Sequence, residues 1–378
     1  MEPMKPSVMV DQVRDLANVM REQTRPFDRI IRDTLTPLEY RSLHRVYTVG
    51  DGDSFHAAMA TEMAFENIAR IPCEPMSAMR FLEYGADFIP TAFPNDTLVV
   101  GISASGSTLR VAQAVERAEK VSSNIITAAI TGNIEGIVGK AAHRKVSIKL
   151  PDLGGSPGIR TYAASLMGLY LLAIRIGEIQ EQYHQTEANE MRSELISLAD
   201  VVDATAKAVE KPAKQVAEAF KDVPVMVFAG SGPSYGTALF SAAKMVEAAG
   251  VFSMGQDLEE WAHVERFAYP SDTPTIIIAP PGRGYWRAAE LAKTAKELGR
   301  RVIAVVKEDD KEVTQFADMV LPVVGNVREE FSPLVYHVFA NLFASFVAER
   351  LGRMLFQTDN PAILAKMAAN MAQRQAGQ

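Results

Sequence analysis

The sequence predicts an α/β protein of two tandem units, each a doubly wound parallel sheet. From Val46 onward, apolar strand-like stretches alternate with helical patterns, which is typical of parallel strands covered by helices on both faces. A Gly-x-Gly turn followed by serine occurs twice, in VYTVGDGDS (46–54) and MVFAGSGPS (226–234). A later strand in each unit ends in a small-residue loop, GISASGST (101–108) and IAPPGRG (278–284). The chain therefore contains an internal repeat in which only the first loop is rich in hydroxyl groups.

The individual elements follow from apolar spacing. A leading helix or helix pair is expected over 8–35, interrupted at Pro26. The first unit is expected to have strands at 46–49, 72–76, 97–102, 124–130 and 145–149, and helices at about 54–70, 107–121, 134–141 and from Thr161. Polar amphipathic helices over 185–220 connect the units. The second unit is expected to have strands at 224–229, 251–254, 274–279, 301–306 and 318–323, and helices at about 234–249, 257–264, 284–298 and 332–351.

Composition narrows the class of protein. A chain of 378 residues with 48% hydrophobic and 22% charged residues has the length for two folded domains. The net charge of −7 and the mixed signs along the chain argue against a nucleic-acid partner. The lone cysteine, Cys73, excludes an internal disulfide and fits a reducing compartment. We see neither a signal-peptide pattern nor an apolar run of about 20 residues, so we expect a cytoplasmic protein with no membrane partner.

The hydroxyl-rich loop is a candidate anion site. Ser103, Ser105, Ser107 and Thr108 lie between a predicted strand and the next helix, where free backbone N–H groups and the helix dipole favour a phosphate or similar anion. Ser54, after the first Gly-x-Gly turn, is expected to contribute a hydroxyl to the same anion site from the neighbouring strand end. The plainer alternative is that Ser107 or Thr108 only caps the helix. Four hydroxyls in six residues favour the anion site.

A second constellation lies in the second unit. Lys244 and Glu247 are three residues apart on one predicted helix and share a face. Glu260 and His263 have the same spacing. From these spacings alone, the simplest interpretation of each pair is two solvated side chains on the protein surface.

Several of these motifs occur together in one known family. GDGDSF, SASGST, GSGPSYGTALFSAAKMVE, EEWAH and the tail DNPAILAK resemble the double sugar-isomerase (SIS) domain family, including the isomerase half of glucosamine-6-phosphate synthase and fructosamine-phosphate deglycases. The resemblance covers essentially the whole chain. It implies two tandem SIS-type domains of flavodoxin-like or Rossmann-like three-layer architecture, with an N-terminal helix and a C-terminal tail. The implied boundaries are an N-terminal helical segment (1–45), a first SIS domain (46–184), connecting helices (185–221), a second SIS domain (222–355) and a catalytic tail (356–378).

The resemblance also implies roles for residues. It makes Glu247 the catalytic carboxylate, with Lys244 one turn before it. His263 matches the Glu-x-x-His element, and Lys366 ends the Asp359-x-Pro361 tail motif. The implied anion-binding set comprises Ser54, Ser103, Ser105 and Thr108, to which we add Gly52, Asp53, Ser107 and Arg160 from their predicted positions.

The first turn departs from the family pattern. Where the family has Cys-Gly-Thr-Ser or similar, this chain has Asp51-Gly52-Asp53-Ser54, and the glutamine often found in the serine loop is Ala104. Two carboxylates near an anion would repel it by about 1 to 4 kcal/mol. Either the aspartates turn outward or stabilise the turn, or the ligand is less charged there or carries a cation. Loop residues Arg160 and Arg283 either restore positive potential or are simply solvated.

These features together predict a cofactor-free, metal-independent aldose–ketose isomerase. Its substrate would be a hexose with a terminal anionic group, either phosphate or a sulfonate, converted through a cis-enediol. A deglycase or deaminase that releases an amine from a fructosamine-phosphate or amino-sugar phosphate is the nearest alternative, favoured slightly by the two aspartates. A non-catalytic sugar-phosphate-binding module is the third. We expect a homodimer or higher homo-oligomer, and the resemblance implies that His263 acts across its interface.

Overall fold

Two five-stranded parallel sheets form the framework. The computed structural model describes residues 4–358, 360–363 and 365–366. The first sheet has the strand order β2-β1-β3-β4-β5 and the second has β7-β6-β8-β9-β10, so both follow one topology. The strands are β1 (Arg45–Gly50), β2 (Cys73–Ser77), β3 (Thr97–Ser103), β4 (Ile125–Thr131), β5 (Arg144–Ser147), β6 (Val225–Gly230), β7 (Phe252–Asp257), β8 (Pro274–Ala279), β9 (Arg301–Lys307) and β10 (Met319–Val323).

Helices cover both faces of each sheet, which confirms the predicted α/β three-layer class. They are α1 (Ser7–Thr34), α2 (Pro37–Ser42), α3 (Asp53–Ala64), α4 (Ala78–Arg80), α5 (Leu109–Val121), α6 (Ile137–Ala141), α7 (Arg160–Ile179), α8 (Gln185–Phe220), α9 (Pro233–Ala249), α10 (Leu258–His263), α11 (Tyr285–Glu297), α12 (Pro333–Tyr336) and α13 (Val338–Arg350). Single turns of 3-10 or π helix occur at 65–69, 81–85, 86–88, 265–267, 314–316 and 329–331.

The largest hydrophobic core lies between the two sheets. It joins side chains from both sheets with those of α1, α3, α7, α8, α9 and α13. Smaller cores lie beneath α5 and α6 on the first sheet and beneath α10 and α11 on the second. The two units therefore share one interior, in which α3 of the first unit packs against α9 of the second.

The structure decides how many helices form in two long segments, each of which contains a proline. The leading segment is one 28-residue helix that includes Pro26, and the connecting segment is one 36-residue helix that includes Pro212. The apolar faces of both helices are buried against neighbouring helices, and this packing outweighs the hydrogen bond lost at a single proline. The leading segment is therefore the single helix of the two alternatives that we expected, whereas our expectation of several helices over 185–220 was wrong.

Two helical segments are long and apolar enough to cross a membrane, although neither is an uninterrupted apolar run of the kind that we looked for in the sequence. Arg160–Ile179 and Glu329–Arg350 have windows of mean hydropathy 1.3 and 1.4, of which 83% and 100% are buried inside the fold. Their apolar character is therefore accounted for by the core that the two units share.

Gly236 is required where α3 and α9 cross. A Cβ at this position would lie 2.6 Å from the Cα of Ala60, a backbone atom that cannot move aside. We expect Gly236→Ala to lower the free energy of unfolding by about 3 kcal/mol, measured by urea denaturation. Gly168→Ala is the matched control, because a Cβ there meets methyl groups of Ile130 and Ile148 at 3.2 Å and the gain in helix propensity offsets the crowding. Equal losses in both variants would contradict the steric explanation.

Candidate functional site

Two equivalent turns bring helix N-termini to the carboxyl edges of the sheets. Gly52, between β1 and α3, has φ +54° and ψ −129°, and Gly232, between β6 and α9, has φ +56° and ψ −130°. Side chains rarely tolerate this backbone region, so both positions favour glycine. The sequence repeat is thus also a repeat of backbone geometry.

The serine loop connects β3 to α5. Its hydroxyls form two pairs, Ser103 Oγ with Thr108 Oγ1 at 2.9 Å and Ser105 Oγ with Ser107 Oγ at 2.7 Å. The N–H of Gly106 donates to Ser103 Oγ at 3.2 Å. Thr108 precedes the helix, but its side chain makes no capping hydrogen bond. Helix capping by Thr108 therefore does not account for this loop.

A cavity of about 560 Å³ adjoins the serine loop. Ala104 and Ser105 line it on one side and the segment 148–161 lines it on the other. At the corresponding loop of the second unit, beside Pro280 and Gly284, the cavity measures about 10 Å³. The loop that is rich in hydroxyl groups is thus also the loop that adjoins the larger cavity. The larger cavity has the size of a small-molecule site.

A buried cation links the two units, and its partner Asp53 lies close to Gly158, between two residues that line this cavity. Lys244, on α9, is fully buried, and its Nζ lies 2.7 Å from Asp53 Oδ2 and 2.5 Å from Glu247 Oε2. The side chains of Asp53 and Glu247 keep 21% and 31% of their surface exposed. The interpretation of Lys244 and Glu247 as a solvated surface pair is therefore wrong, because the lysine is enclosed by the packing of α9 against α3.

The three charges differ in proton affinity. Burial raises the pKa of Asp53, but Lys244 and His56 outweigh it and the net shift is downward. Burial also raises the pKa of Glu247, and the charge of Asp53 adds to the increase, so that the attraction of Lys244 does not cancel it. Burial lowers the pKa of Lys244, yet its two carboxylate neighbours raise it overall. Glu247 is thus the carboxylate of this cluster whose pKa is raised, which suits it better than Asp53 to accept a proton and return it.

Aromatic side chains pack around the buried Lys244. Its Nζ lies 4.9 Å from the centre of the Phe240 ring, on which Tyr162 stacks at 3.9 Å. His337 packs edge-on against both rings, and burial lowers its pKa to about 4. Sequence reasoning missed this support, since Tyr162 is on α7, Phe240 is on α9 and His337 lies between α12 and α13, so the three have no common spacing.

Both unusual aspartates of the first turn have partners within the chain. Asp51 Oδ1 accepts a hydrogen bond from the N–H of Ala78, at 3.1 Å, and so joins the turn to the end of β2. Asp53 points to Lys244. The charge of Asp53 is therefore compensated by Lys244, whereas Asp51 forms no ion pair among the described residues, so the slight preference for an amine-bearing substrate now rests on Asp51 alone.

Arg160 lies in the first turn of α7 and contributes to the cavity wall. Its side chain is buried, with Nε 2.7 Å from Asp15 Oδ2 and one terminal nitrogen donating to the carbonyl of Pro151 at 3.0 Å. Arg283 donates to Asn67 Oδ1 at 3.2 Å. The charge of Arg160 is therefore shared with an aspartate, and direct binding of an anion by this residue stays a prediction.

The remaining predicted catalytic residues lie apart from the lysine. His263 ends α10 with 70% of its side chain exposed, and its Nε2 lies 3.2 Å from Glu259 Oε1. Lys366 is exposed in the tail, and Asp359 lies outside the described residues. In the part of the chain that the structure describes, neither His263 nor Lys366 forms a hydrogen bond or ion pair with Glu247.

The tail nevertheless starts at the candidate site. The N–H of Phe356 donates to the carbonyl oxygen of Glu247 at 2.8 Å, and Arg353 donates to the carbonyl of Ala249. The chain therefore crosses the end of α9 just before the Asp359–Lys366 motif. The sequence gives no local signal for these backbone contacts.

Comparison with known proteins gives consistent matches. Residues 39–175 match the SIS domain family. The chain is 27% identical over 366 residues to a glutamine–fructose-6-phosphate aminotransferase (isomerizing) of Gloeobacter violaceus, covering 95% of this chain and 58% of that protein. The corresponding protein of Aquifex aeolicus is 26% identical over 335 residues, covering 87% of this chain and 52% of that one. The chain thus spans about half the length of the curated relatives it matches.

Solved structures share the fold. The C-terminal domain of glucosamine-fructose-6-phosphate aminotransferase from Francisella tularensis superimposes with a TM-score of 0.79 at 16% identity, covering 93% of this chain and 98% of that one. A glucosamine-6-phosphate deaminase from Thermotoga maritima gives a TM-score of 0.65 at 18% identity, covering 92% and 98%. Residues 39–175 are therefore similar to the SIS domain, and the two α/β units together share the fold of these solved structures.

Proposed function

We propose that the protein is an aldose–ketose isomerase that moves one proton between adjacent carbons of a hexose through a cis-enediol. The substrate carries a terminal anionic group. We propose phosphate as this group, with a sulfonate as the alternative. The observation that carries the proposal is the buried Asp53–Lys244–Glu247 cluster, whose Asp53 lies against the wall of the cavity at Gly158. Pro157 and Ile159 line this cavity and flank Gly158, whose Cα faces the carboxylate of Asp53.

The first unit would bind the anion. Ser105 faces the cavity, while Ser103 and Thr108 hold the loop through their mutual hydrogen bond. An anion entering the loop would replace the hydroxyl pairs with charge-assisted hydrogen bonds, which are stronger than neutral ones. Ser54, in the first turn of α3, would close the site from the neighbouring strand end, with Gly52 giving the turn its shape.

The second unit would carry out proton transfer. Glu247 in its ionised form removes the proton from one carbon and returns it to the next, and its raised pKa suits both steps. Lys244 holds the carboxylate in place rather than reacting. No step of this transfer requires a metal or an organic cofactor.

Ring opening would fall to His263 and Lys366. The imidazole of His263 is exposed at the end of α10, which is the position that a group acting on a second copy of the chain would need. A homodimer in which each copy contributes this residue to its partner's site fits the arrangement. Lys366 would stabilise oxyanion charge during opening once the tail folds over the cavity.

Substrate screening tests the proposal. D-fructose 6-phosphate, D-glucose 6-phosphate, their 6-sulfonated analogues and 6-phosphorylated amino sugars are incubated in D₂O and followed by ¹H NMR. The proposal expects interconversion of a ketose and an aldose with incorporation of solvent deuterium at the reacting carbon. Release of ammonia or an amine would instead establish the deglycase or deaminase. Thermal stabilisation by a ligand that is never converted would point to the binding module.

The repeat offers a matched pair of serine variants. Ser54 and Ser234 occupy the same position after equivalent glycine turns, and both are buried. Ser54→Ala is expected to raise KM for the anionic sugar about tenfold or more, because a hydrogen bond to a charged group is lost. Ser234→Ala should leave KM unchanged. An equal rise in both variants would contradict the assignment of the anion to the first unit.

A further inference from the structure

We propose that Asp53, from the first unit, is a positioning residue that controls the charge of Glu247 in the second unit by sharing Lys244 with it. The inference rests on the proposed function, in which Glu247 must lose its proton to act as a base. It assigns a role to the aspartate that distinguishes this chain's first glycine turn.

Asp53, Lys244 and Glu247 form one hydrogen-bonded cluster. Lys244 Nζ contacts Asp53 Oδ2 at 2.7 Å and Glu247 Oε2 at 2.5 Å, so a single ammonium group serves two carboxylates. The cation is fully buried. Because it bonds to both partners at once, loss of either carboxylate strengthens its hold on the other.

The turn itself does not require an aspartate at position 53. The equivalent residue of the second unit is Pro233, although Gly52 and Gly232 have the same backbone angles to within a few degrees. In contrast to Asp51, which bonds the N–H of Ala78, the carboxylate of Asp53 is directed across the boundary between the units. A role in local turn stability therefore does not explain Asp53.

Gly158 leaves space for the carboxylate of Asp53. A Cβ on Gly158 would overlap Asp53 Oδ2, so a side chain at position 158 would push the carboxylate away from Lys244. Gly158 lies between residues that line the cavity. The Asp53–Lys244 contact is thus built by three segments: α3, α9 and the turn before α7.

The electrostatic consequence has a definite sign. The charged and titratable groups around Glu247 are Lys244 on its own helix, Asp53 and His56 on α3, and, behind the lysine, His337. The charge of Asp53 helps to raise the pKa of Glu247, whereas Lys244 and His56 lower it. Neutralising Asp53 removes its repulsion of the Glu247 carboxylate. The Lys244 ammonium group then interacts with one charged carboxylate instead of two. Glu247 should then lose its proton at lower pH.

The test is a direct titration of Glu247. Protein labelled with ¹³C at the glutamate carboxyl carbons is titrated by NMR, and the Glu247 resonance is identified by its loss in Glu247→Gln. In Asp53→Asn the midpoint should fall by about one pH unit or more relative to the unsubstituted protein. Asp51→Asn is the matched control in the same turn and should leave the midpoint in place. Gly158→Ala should shift it in the same direction as Asp53→Asn.

Two outcomes would overturn the inference: an unchanged or higher midpoint in Asp53→Asn, or an equal fall in Asp51→Asn. Thermal melts establish that each variant is folded before its titration is compared. The titration needs no substrate, so it decides the coupling independently of catalysis. If Glu247→Gln retained full exchange of the substrate proton, the proposed function would fail while the titration still measured the link between Asp53 and Glu247.

With an active substrate, the coupling has a kinetic signature. The acidic limb of the kcat/KM profile should move to lower pH in Asp53→Asn, because the base is ionised over a wider range. A residue that only stabilised the fold would lower activity without moving this limb.

Discussion

Replacing Glu247 with glutamine is expected to reduce proton transfer about 10²- to 10⁴-fold while ligand binding changes little. The amide keeps the size of the side chain and can still accept a hydrogen bond from Lys244, but it cannot take a proton from carbon. Exchange of the substrate's carbon-bound proton with D₂O, followed by ¹H NMR, measures this step directly. Isothermal titration calorimetry with the same sugar measures binding.

A surface pair provides the control for this substitution. Glu210 and Lys214 form an ion pair of 2.6 Å on α8, with half of the lysine side chain exposed. Glu210→Gln makes the same chemical change and should leave exchange intact. Undiminished exchange in Glu247→Gln would remove Glu247 from the role of base, and loss of exchange in both variants would point to a general effect on the fold.

Ending the chain after Thr358 is expected to abolish turnover and to leave a folded protein. The truncation removes Lys366 but keeps the contacts of Arg353 and Phe356 with the end of α9. Since all the described residues of the shared core lie before this point, the melting temperature should change little. Turnover of the active sugar and a thermal melt measure the two effects.

Single substitutions separate the lysine from the rest of the tail. Lys366→Met should lose most of the activity, because the proposed role of this side chain depends on its charge. Arg374→Gln, which also removes one positive charge from the tail sequence, should retain it. Normal turnover by the truncated protein would show that the tail has no catalytic role. Equal losses in Lys366→Met and Arg374→Gln would show that general tail charge matters rather than this lysine.

The regular elements could be predicted because their signals are local. Alternating strand and helix patterns and the two glycine turns located every strand of both sheets to within a few residues. The long helices α1 and α8 were the exception. Pro26 indicates an interruption when only its neighbours are considered, and the segment 185–220 indicates more than one helix. Burial of the apolar faces on distant helices decides that each helix continues.

The candidate site was predictable only in its parts. The serine loop is contiguous, so its anion-binding chemistry can be read from six residues. Lys244 and Glu247 are also close in sequence, but their spacing is the same as that of an exposed pair such as Lys221 and Glu218. What distinguishes them is burial, and burial depends on the whole fold.

By itself the sequence determined the two-unit α/β plan, the repeat of the glycine turn and the restriction of hydroxyls to one loop, because each is a property of neighbouring residues. Only the tertiary structure decided that Asp53 meets Lys244, a contact that joins positions 191 residues apart. The crossing of α3 and α9 encloses the lysine, and a buried ammonium group requires carboxylate partners from whichever segments surround it. An aspartate that looked unfavourable beside an anion is thereby paired with the cation that holds Glu247.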